Sequence, residues 1–455
     1  MLTRPELDAV VRLEQARSLS LPFDDRMWKY LHGRQLVRHL PWALPATMRH
    51  RFTVISNWCR IGVETYVNRQ QLSAAKLIGG TDDDEDLRLI RDANNFDHQL
   101  AMFNRDRCTF GRAIMSAFPG NDGMPRIRVE SPREMALEID EYREVVSAGA
   151  RFYGADLTRA TLYMLADERN PSRTIHLRRE RYGNQWVEVD RDEYDGPLPL
   201  FLHLNRRESG SWAGESELVD LVPLVDSAAQ SLTLMGASAN AHGFPKLILS
   251  GVQTGDFTKP DGTLQPRVES YLDAMTLLRQ ADAKAFQMTP ADLKNFDTSL
   301  DVLGRQAGAV TGIPPHYFGI MPRNNPSSEG ALQFAEGALV ERIEAANREV
   351  GATLGWVLAY AYELRTGEQV PHNQVQVTWH DPATPTYSQR SEAIFKLTTG
   401  ARPILSREGA WDRLGMSEAE KDKERAYFAA ELNDPTIQLA NSLMNGSTDA
   451  ALGNA

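Results

Sequence analysis

Residues 325–366 read NPSSEGALQFAEGALVERIEAANREVGATLGWVLAYAYELRT. Leu332, Ala335, Leu339, Ile343, Ala346, Val350, Leu354, Val357 and Ala361 recur in steps of three and four, which keeps them on one face of an α-helix. Asn325, Pro326 and Ser327 supply a start, because a polar side chain caps free amides and proline fits the first turn. Gly367 supplies a stop. The pattern predicts one helix of about 40 residues, or roughly 60 Å. Gly351, Gly355 and Ala359 stand four apart and leave room for a second element to approach closely. Upstream, Thr311-Gly312-Ile313-Pro314-Pro315 ends an earlier helix, and prolines 314, 315, 322 and 326 restrain the loop between the two.

Working outward, Ser216–Ala241 carries Leu218, Leu221, Val222, Val225, Ala229, Leu232 and Met235 at helical spacing. A strand at Lys246–Gly251, a loop-rich stretch, a second strand at Ala285–Met288 and a helix from about Pro290 to Val310 follow. Two helices and a small β tip thus leave the body between residues 215 and 312. Apolar helix stripes need burial, so such an excursion points to an assembly.

Residues 1–78 read as helix pieces broken by Pro22, Pro41 and Pro45, and a single helix is expected from Leu87 to about Asp106. Strands are expected at Phe110–Phe118, Arg126–Glu130, Ala148–Tyr153, Arg159–Asp167, Thr174–Arg181 and Gln185–Val189. Val375–Trp379 reads as a further strand, residues 387–432 as helical, and the small polar tail from Asn441 as disordered. The fold class is α+β.

The 455 residues exceed what one core usually holds. Fifty Lys and Arg against 61 Asp and Glu give a net charge of −11, which excludes a broad phosphate-neutralising surface. The two cysteines, Cys59 and Cys108, form no disulfide scaffold and read as core thiols in a reducing compartment. There is no signal-peptide pattern and no apolar run long enough to span a membrane. The chain has no phosphate-binding Gly-rich loop with Lys, no His-Glu-x-x-His and no Cys-x-x-Cys, so neither a cofactor nor a metal is expected. His372 and His380 read as surface residues, and Asp82–Asp86 as an acidic helix start rather than a calcium loop.

Four segments carry a resemblance. They are Asn94-Asn95-Phe96-Asp97 through Phe110-Gly111-Arg112-Ala113; Ser131-Pro132-Arg133-Glu134-Met135 with Asp140; Gly214-Glu215-Ser216-Glu217-Leu218 with Asp226, then Gly243-Phe244-Pro245-Lys246; and Thr311 through Gly319 followed by Asn325 through Ala331. In this order they resemble the bacteriophage portal proteins of siphophage type.

The resemblance implies a ring-forming, non-enzymatic subunit, expected as a dodecamer, with double-stranded DNA as cargo. It implies a wing at 1–214, stem helices at 215–244 and 291–312 and a clip at 245–290. A tunnel loop at 313–326, a long helix with the rest of the wing at 327–386, and a crown with tail at 387–455 complete it. Tunnel candidates are Tyr317, Met321, Arg323, Asn324 and Asn325; stem carboxylates are Glu215, Glu217, Asp220 and Asp226. Implied partners are the terminase large subunit, a head-completion adaptor, and major capsid and scaffold proteins, with assembly in the bacterial cytoplasm and residence in the virion. Two alternatives stand beside it: another structural head or tail protein, such as a minor capsid protein or adaptor, and a metal-dependent DNA nuclease, which needs clustered carboxylates.

Overall fold

The computed structural model describes residues 2–37, 54–79, 84–120, 122–165, 172–179, 185–194, 198–243, 247–250, 275–278, 285–287, 293–320, 329–383, 387–399, 403–414, 416 and 418–432. The chain divides into two compact units, Met1–Pro382 and Ala383–Ala455.

In the first unit, α1 (Arg4–Leu31) runs straight through Pro22. The expected break does not occur. An interior proline costs about 3 kcal/mol, and tertiary anchors on both sides offset it. Arg17 Nε donates to Arg133 O at 2.8 Å, Asp24 pairs with Arg112 at 2.7 Å, and Asp25 pairs with Arg133 at 2.6 Å. Pro41 and Pro45 lie outside the described residues.

Helix α2 (Trp58–Arg69) and strand β1 (Leu72–Leu77) follow. The helix expected from Leu87 is two helices, α3 (Glu85–Ala93) and α4 (Phe96–Phe110). The break sits at Asn95, whose φ is +47°, a conformation asparagine tolerates. Asn94 fixes it by donating to Ile90 O and Pro125 O and accepting from the Ile127 amide. The acidic start is a cap: the Asp84 carboxylate accepts the amides of Asp86 and Leu87.

Two antiparallel sheets form next. In the first, β2 (Arg112–Phe118) lies between β3 (Arg126–Glu130) and β9 (Leu200–Leu204). The second is a meander of β4 (Met135–Asp140), β5 (Val145–Tyr153), β6 (Arg159–Met164), β7 (Ser172–Arg179) and β8 (Trp186–Tyr194). Cross-strand rows such as Ala150–Leu162–Ile175 and Phe152–Ala160–Leu177 share one face. That face packs on Ala9, Val10 and Leu13 of α1.

The central excursion is α5 (Val222–Gly243), strands β10 (Leu247–Ser250), β11 (Met275–Leu278) and β12 (Ala285–Gln287), and α6 (Lys294–Thr311). Strand β10 is central, parallel to β11 and antiparallel to β12. Helix α5 starts six residues later than the spacing suggested. Residues 217–221 form turns, Pro223 fits a first helical turn, and the Ser216 hydroxyl takes the Leu218 amide that a helix would leave free.

The long helix α7 is Glu329–Thr366, 38 residues, and Gly367 ends it at φ +75°. It serves two cores. Leu339 and Ile343 pack with the bases of α5 and α6. Val350, Leu354, Val357 and Leu358, all fully buried, pack with α3, α4, β1 and β13 (Val375–Trp379). At about 1.5–3 kcal/mol for each large apolar side chain, this half of α7 is firmly held. The Gly351–Gly355 stripe admits the segment leading into β13: a Cβ on Gly355 would stand 3.1 Å from His372 O.

The second unit contains α8 (Tyr387–Thr398), α9 (Arg407–Leu414) and α10 (Glu418–Leu432). Trp411 stacks on Phe428, and Arg425 pairs with Glu408 at 2.7 Å. The tail from Asn441 lies outside the described residues.

Candidate functional site

The excursion is fastened to the body at the end of α4. Gly111 sits there at φ +77°, and a Cβ on it would meet Gly214 O at 2.6 Å. Only glycine fits at both places. Asn205 ties the two strands of chain together. Its amide donates to Gly111 O, its carbonyl accepts the Glu215 amide, and its side chain donates to Glu215 O and Glu217 Oε1. Ser216 Oγ donates to Thr109 O at 2.6 Å, and the Glu217 amide donates to Cys108 O at 2.9 Å. Below lies Arg107, 2% exposed, bonded to Asn205 Oδ1 and to Gln70 Oε1. Gln70 in turn donates to Asn347 of α7 at 2.9 Å.

The second attachment follows α6. Gly312 (φ +73°) closes the helix with its amide on Gly308 O. Tyr66 OH donates to Thr311 O, and Arg342 of α7 donates to Val310 O at 2.9 Å, so the last carbonyls are satisfied from outside. A 3₁₀ turn, Pro315–Phe318, then presses Phe318 edge-on against Trp58. Ile320 fills the space over Gly304. Tyr317 is tied down: Arg69 Nη2 donates to its hydroxyl at 2.6 Å, and the hydroxyl donates to Glu336 Oε1 at 2.9 Å. Arg69 also pairs with Glu336 at 3.0 Å, the two side chains being 10% and 15% exposed. Burial opposes the charge on Arg69, but the bonds from Glu336 and Tyr317 outweigh it and raise its pKa. Burial and Glu336 raise the Tyr317 phenol. One guanidinium therefore clamps both flanks of residues 321–328.

The expected site residues separate. Tyr317 is in the clamp. Met321, Arg323, Asn324 and Asn325 lie outside the described residues. Glu215, Glu217 and Asp220 precede α5 rather than ride on it. Glu217 bonds Asn205 and stands 3.5 Å from Arg206, while Asp220 is exposed. Asp226 lies on α5 and accepts the Tyr30 hydroxyl at 2.8 and 2.9 Å. Burial, then Asp226, push the Tyr30 phenol up to about 12. Arg69, Arg107, Asn205 and Glu336 were not singled out in the sequence, where no spacing marks them. Among the described residues no group of three or more His, Cys, Asp or Glu could hold a metal, and no helix is long and apolar enough to cross a membrane.

Parts of all four motif segments thus meet around the base of the excursion, whereas Gly243 stands at the other end of α5 and residues 244–246 and 325–328 lie outside the described residues. Arg112 even bonds Pro132 O, linking the first motif to the second. A sequence model described as "Phage portal protein, SPP1 Gp6-like" matches residues 30–434. The chain belongs to the phage portal protein family. The portal proteins of Mycobacterium phages D29 and L5 are each 29% identical over 388 residues, covering 82% of this chain and 78% of theirs. Two solved structures are similar in outline. The neck of a native gene transfer agent particle has a TM-score of 0.47 at 14% identity, covering 83% of this chain and 94% of that one. An HK97-family portal protein from Corynebacterium diphtheriae has a TM-score of 0.33 at 13% identity, covering 77% and 99%. As a portal protein the chain is a structural subunit of the phage particle, not an enzyme. The portal family forms the ring in the capsid neck through which DNA passes.

Proposed function

We propose that this portal subunit assembles as a dodecamer at one capsid vertex, and that α5 and α6 are its stem. Double-stranded DNA is packaged and ejected through the central channel. The observation that carries the assignment is the excursion itself. Two helices leave one shared core, in which Leu221, Val222, Val225, Ala228 and Ala307 pack together, and they carry a three-stranded tip. Strands β10–β12 are the clip, the rim on which the terminase large subunit docks during packaging and a head-completion adaptor afterwards. The body is the wing, facing the major capsid protein and scaffold. Residues 387–455 are the crown and tail. Assembly takes place in the cytoplasm of the bacterial host.

Residues 313–326 are the tunnel loop. Tyr317 is its fixed root, and Met321, Arg323, Asn324 and Asn325 are the part that meets DNA. A single Arg323 per subunit gives weak, salt-sensitive phosphate contacts, which suits a moving cargo. Glu215 and Asp220, both exposed ahead of α5, are the stem carboxylates that meet solvent, whereas Glu217 and Asp226 hold the stem to the wing.

Deletion of residues 321–325, which spares the buried Phe318 and Ile320, tests the loop. Rings are expected to persist in negative-stain images while DNA packaging or retention falls. Normal packaging by the deleted chain refutes the loop assignment. Absence of rings from the wild-type chain refutes the ring.

A further inference from the structure

The five-stranded sheet gives α1 one face. Its other face is only partly covered, leaving a cleft of about 640 Å³ walled by Phe118, Tyr153, Tyr163 and Tyr360, with Arg128, Arg151, Asp192 and Glu193 inside, the last two facing His176 at 3.9 Å and Arg173 at 3.1 Å. Thr174 also lines it. This residue is 6% exposed, and its hydroxyl has no hydrogen-bond partner. Next to the cleft wall, Arg159 of β6 stands directly opposite Arg178 of β7 and pairs in register with Tyr153 of β5. Both arginines are exposed, and neither has a partner among the described residues. Other arginines of this sheet are paired: Arg151 with Glu134, Arg173 and Arg191 with Glu6, and Arg179 with Glu14. Like charges facing each other across a strand pair are destabilising, so an anion from outside the subunit is favoured here.

A complement lies at the other end of the same sheet. The β4–β5 turn, Glu141-Tyr142-Arg143-Glu144, presents Tyr142, 95% exposed, while Arg143 turns to Asp140 at 3.8 Å. Both glutamates are exposed and have no partner among the described residues. The tip is held in shape, because the Asp140 carboxylate accepts the amides of Tyr142 and Arg143. From Val145 at the tip to Tyr153 beside the arginine pair, β5 runs about 26 Å at ~3.3 Å per residue, so a subunit's own tip does not reach its own Arg159 and Arg178. Two different, complementary patches at opposite ends of one element make a head-to-tail contact, the kind that closes into rings.

We infer that in the assembled portal the β4–β5 tip of one copy enters the β5–β8 cleft of the next, Tyr142 between the aromatic walls and Glu141 and Glu144 against Arg159 and Arg178. This rests on the ring proposed above. The test uses the full chain with Tyr142→Cys and His176→Cys, a cleft residue. The native thiols Cys59 and Cys108 are buried and do not compete. Mild oxidation of assembled rings is expected to give a ladder of disulfide-linked oligomers on a denaturing gel. In parallel, Arg159→Glu with Arg178→Glu, or Glu141→Arg with Glu144→Arg, is expected to raise the concentration of half-assembly in native mass spectrometry. The rise is about tenfold per lost pair, and the four changes together restore assembly. Intact rings without cross-links overturn the inference, as does assembly indifferent to both reversals; either outcome leaves the cleft to some other partner. A wild-type chain that forms no rings overturns the ring reading itself, and this contact with it.

Discussion

The clamp of Arg69, Tyr317 and Glu336 gives the sharpest expectation. Replacing Arg69 by Met keeps the apolar stem and removes the charge. Glu336, 15% exposed, then loses a charged partner at 3.0 Å, and the Tyr317 hydroxyl loses its donor. Removing one member of a buried pair typically costs 3–5 kcal/mol. The slight exposure here places Arg69→Met at about 2–4 kcal/mol. Glu336→Gln keeps an acceptor for Tyr317 but leaves the Arg69 charge, 10% exposed, without its carboxylate, and is expected to cost about as much, roughly 2–4 kcal/mol. The double variant leaves no orphaned charge, so its cost falls short of the sum by roughly 1–3 kcal/mol. Urea denaturation of the four proteins measures this, with the slope checked for constancy. A strictly additive cycle, or an Arg69→Met cost below about 0.5 kcal/mol, refutes the clamp. Because Tyr317 and Glu336 flank residues 321–328, DNA retention is also expected to drop in Arg69→Met rings that still assemble.

Three further outcomes follow from the same geometry. Burial pushes the Asp106 carboxyl from 3.8 up to about 7 despite Arg105 and Arg112, with nearby Asp24 adding to the push. The folded state therefore holds this proton more tightly than the unfolded one, and stability is lost as pH rises from about 4 to 7. Asp106→Asn should remove up to roughly 4 kcal/mol of that dependence, and a pH-independent gap between variant and wild type in denaturation curves counts against it. Gly111→Ala must place a Cβ 2.6 Å from Gly214 O at φ +77°, so melting is expected to show a loss of more than about 2 kcal/mol. Burial raises Cys59 to about 12 and Cys108 to about 11. A thiol reagent at pH 8 should find neither in the native protein and both after unfolding.

Long-range order was legible where the apolar period was long. Helix α7 was readable to within two residues because nine apolar positions hold one face over about eight turns of helix. The excursion was legible because two such stripes flank a stretch rich in turn residues. Local breaks were less readable. Pro22 is a strong breaker by propensity, yet three ionic or polar anchors to Arg112 and Arg133 override it. The strands Met135–Asp140, Leu200–Leu204 and Met275–Leu278 carry no alternation long enough to separate strand from helix, and pairing alone fixes them. The clamp was hidden for a different reason. Arg69 meets Tyr317 and Glu336 across 248 and 267 positions of chain, and no sequence spacing records such a contact.

The acid excess sets the kind of DNA contact this ring can make. With 61 acidic against 50 basic residues, the subunit repels DNA at long range, and the arginines of its body are largely spent on internal carboxylates. A tight binder that neutralises several phosphates would show affinity falling with a log–log salt slope of several units, since each neutralised phosphate contributes about −0.9. One Arg323 per subunit cannot sustain that on a moving duplex. Filter binding of purified, assembled rings to linear duplex at ~150 mM salt should therefore detect only weak retention, with Arg323→Ala lowering the slope rather than abolishing assembly. Submicromolar binding under those conditions, insensitive to Arg323→Ala, would place the DNA contact on some other surface and remove the tunnel loop from that role.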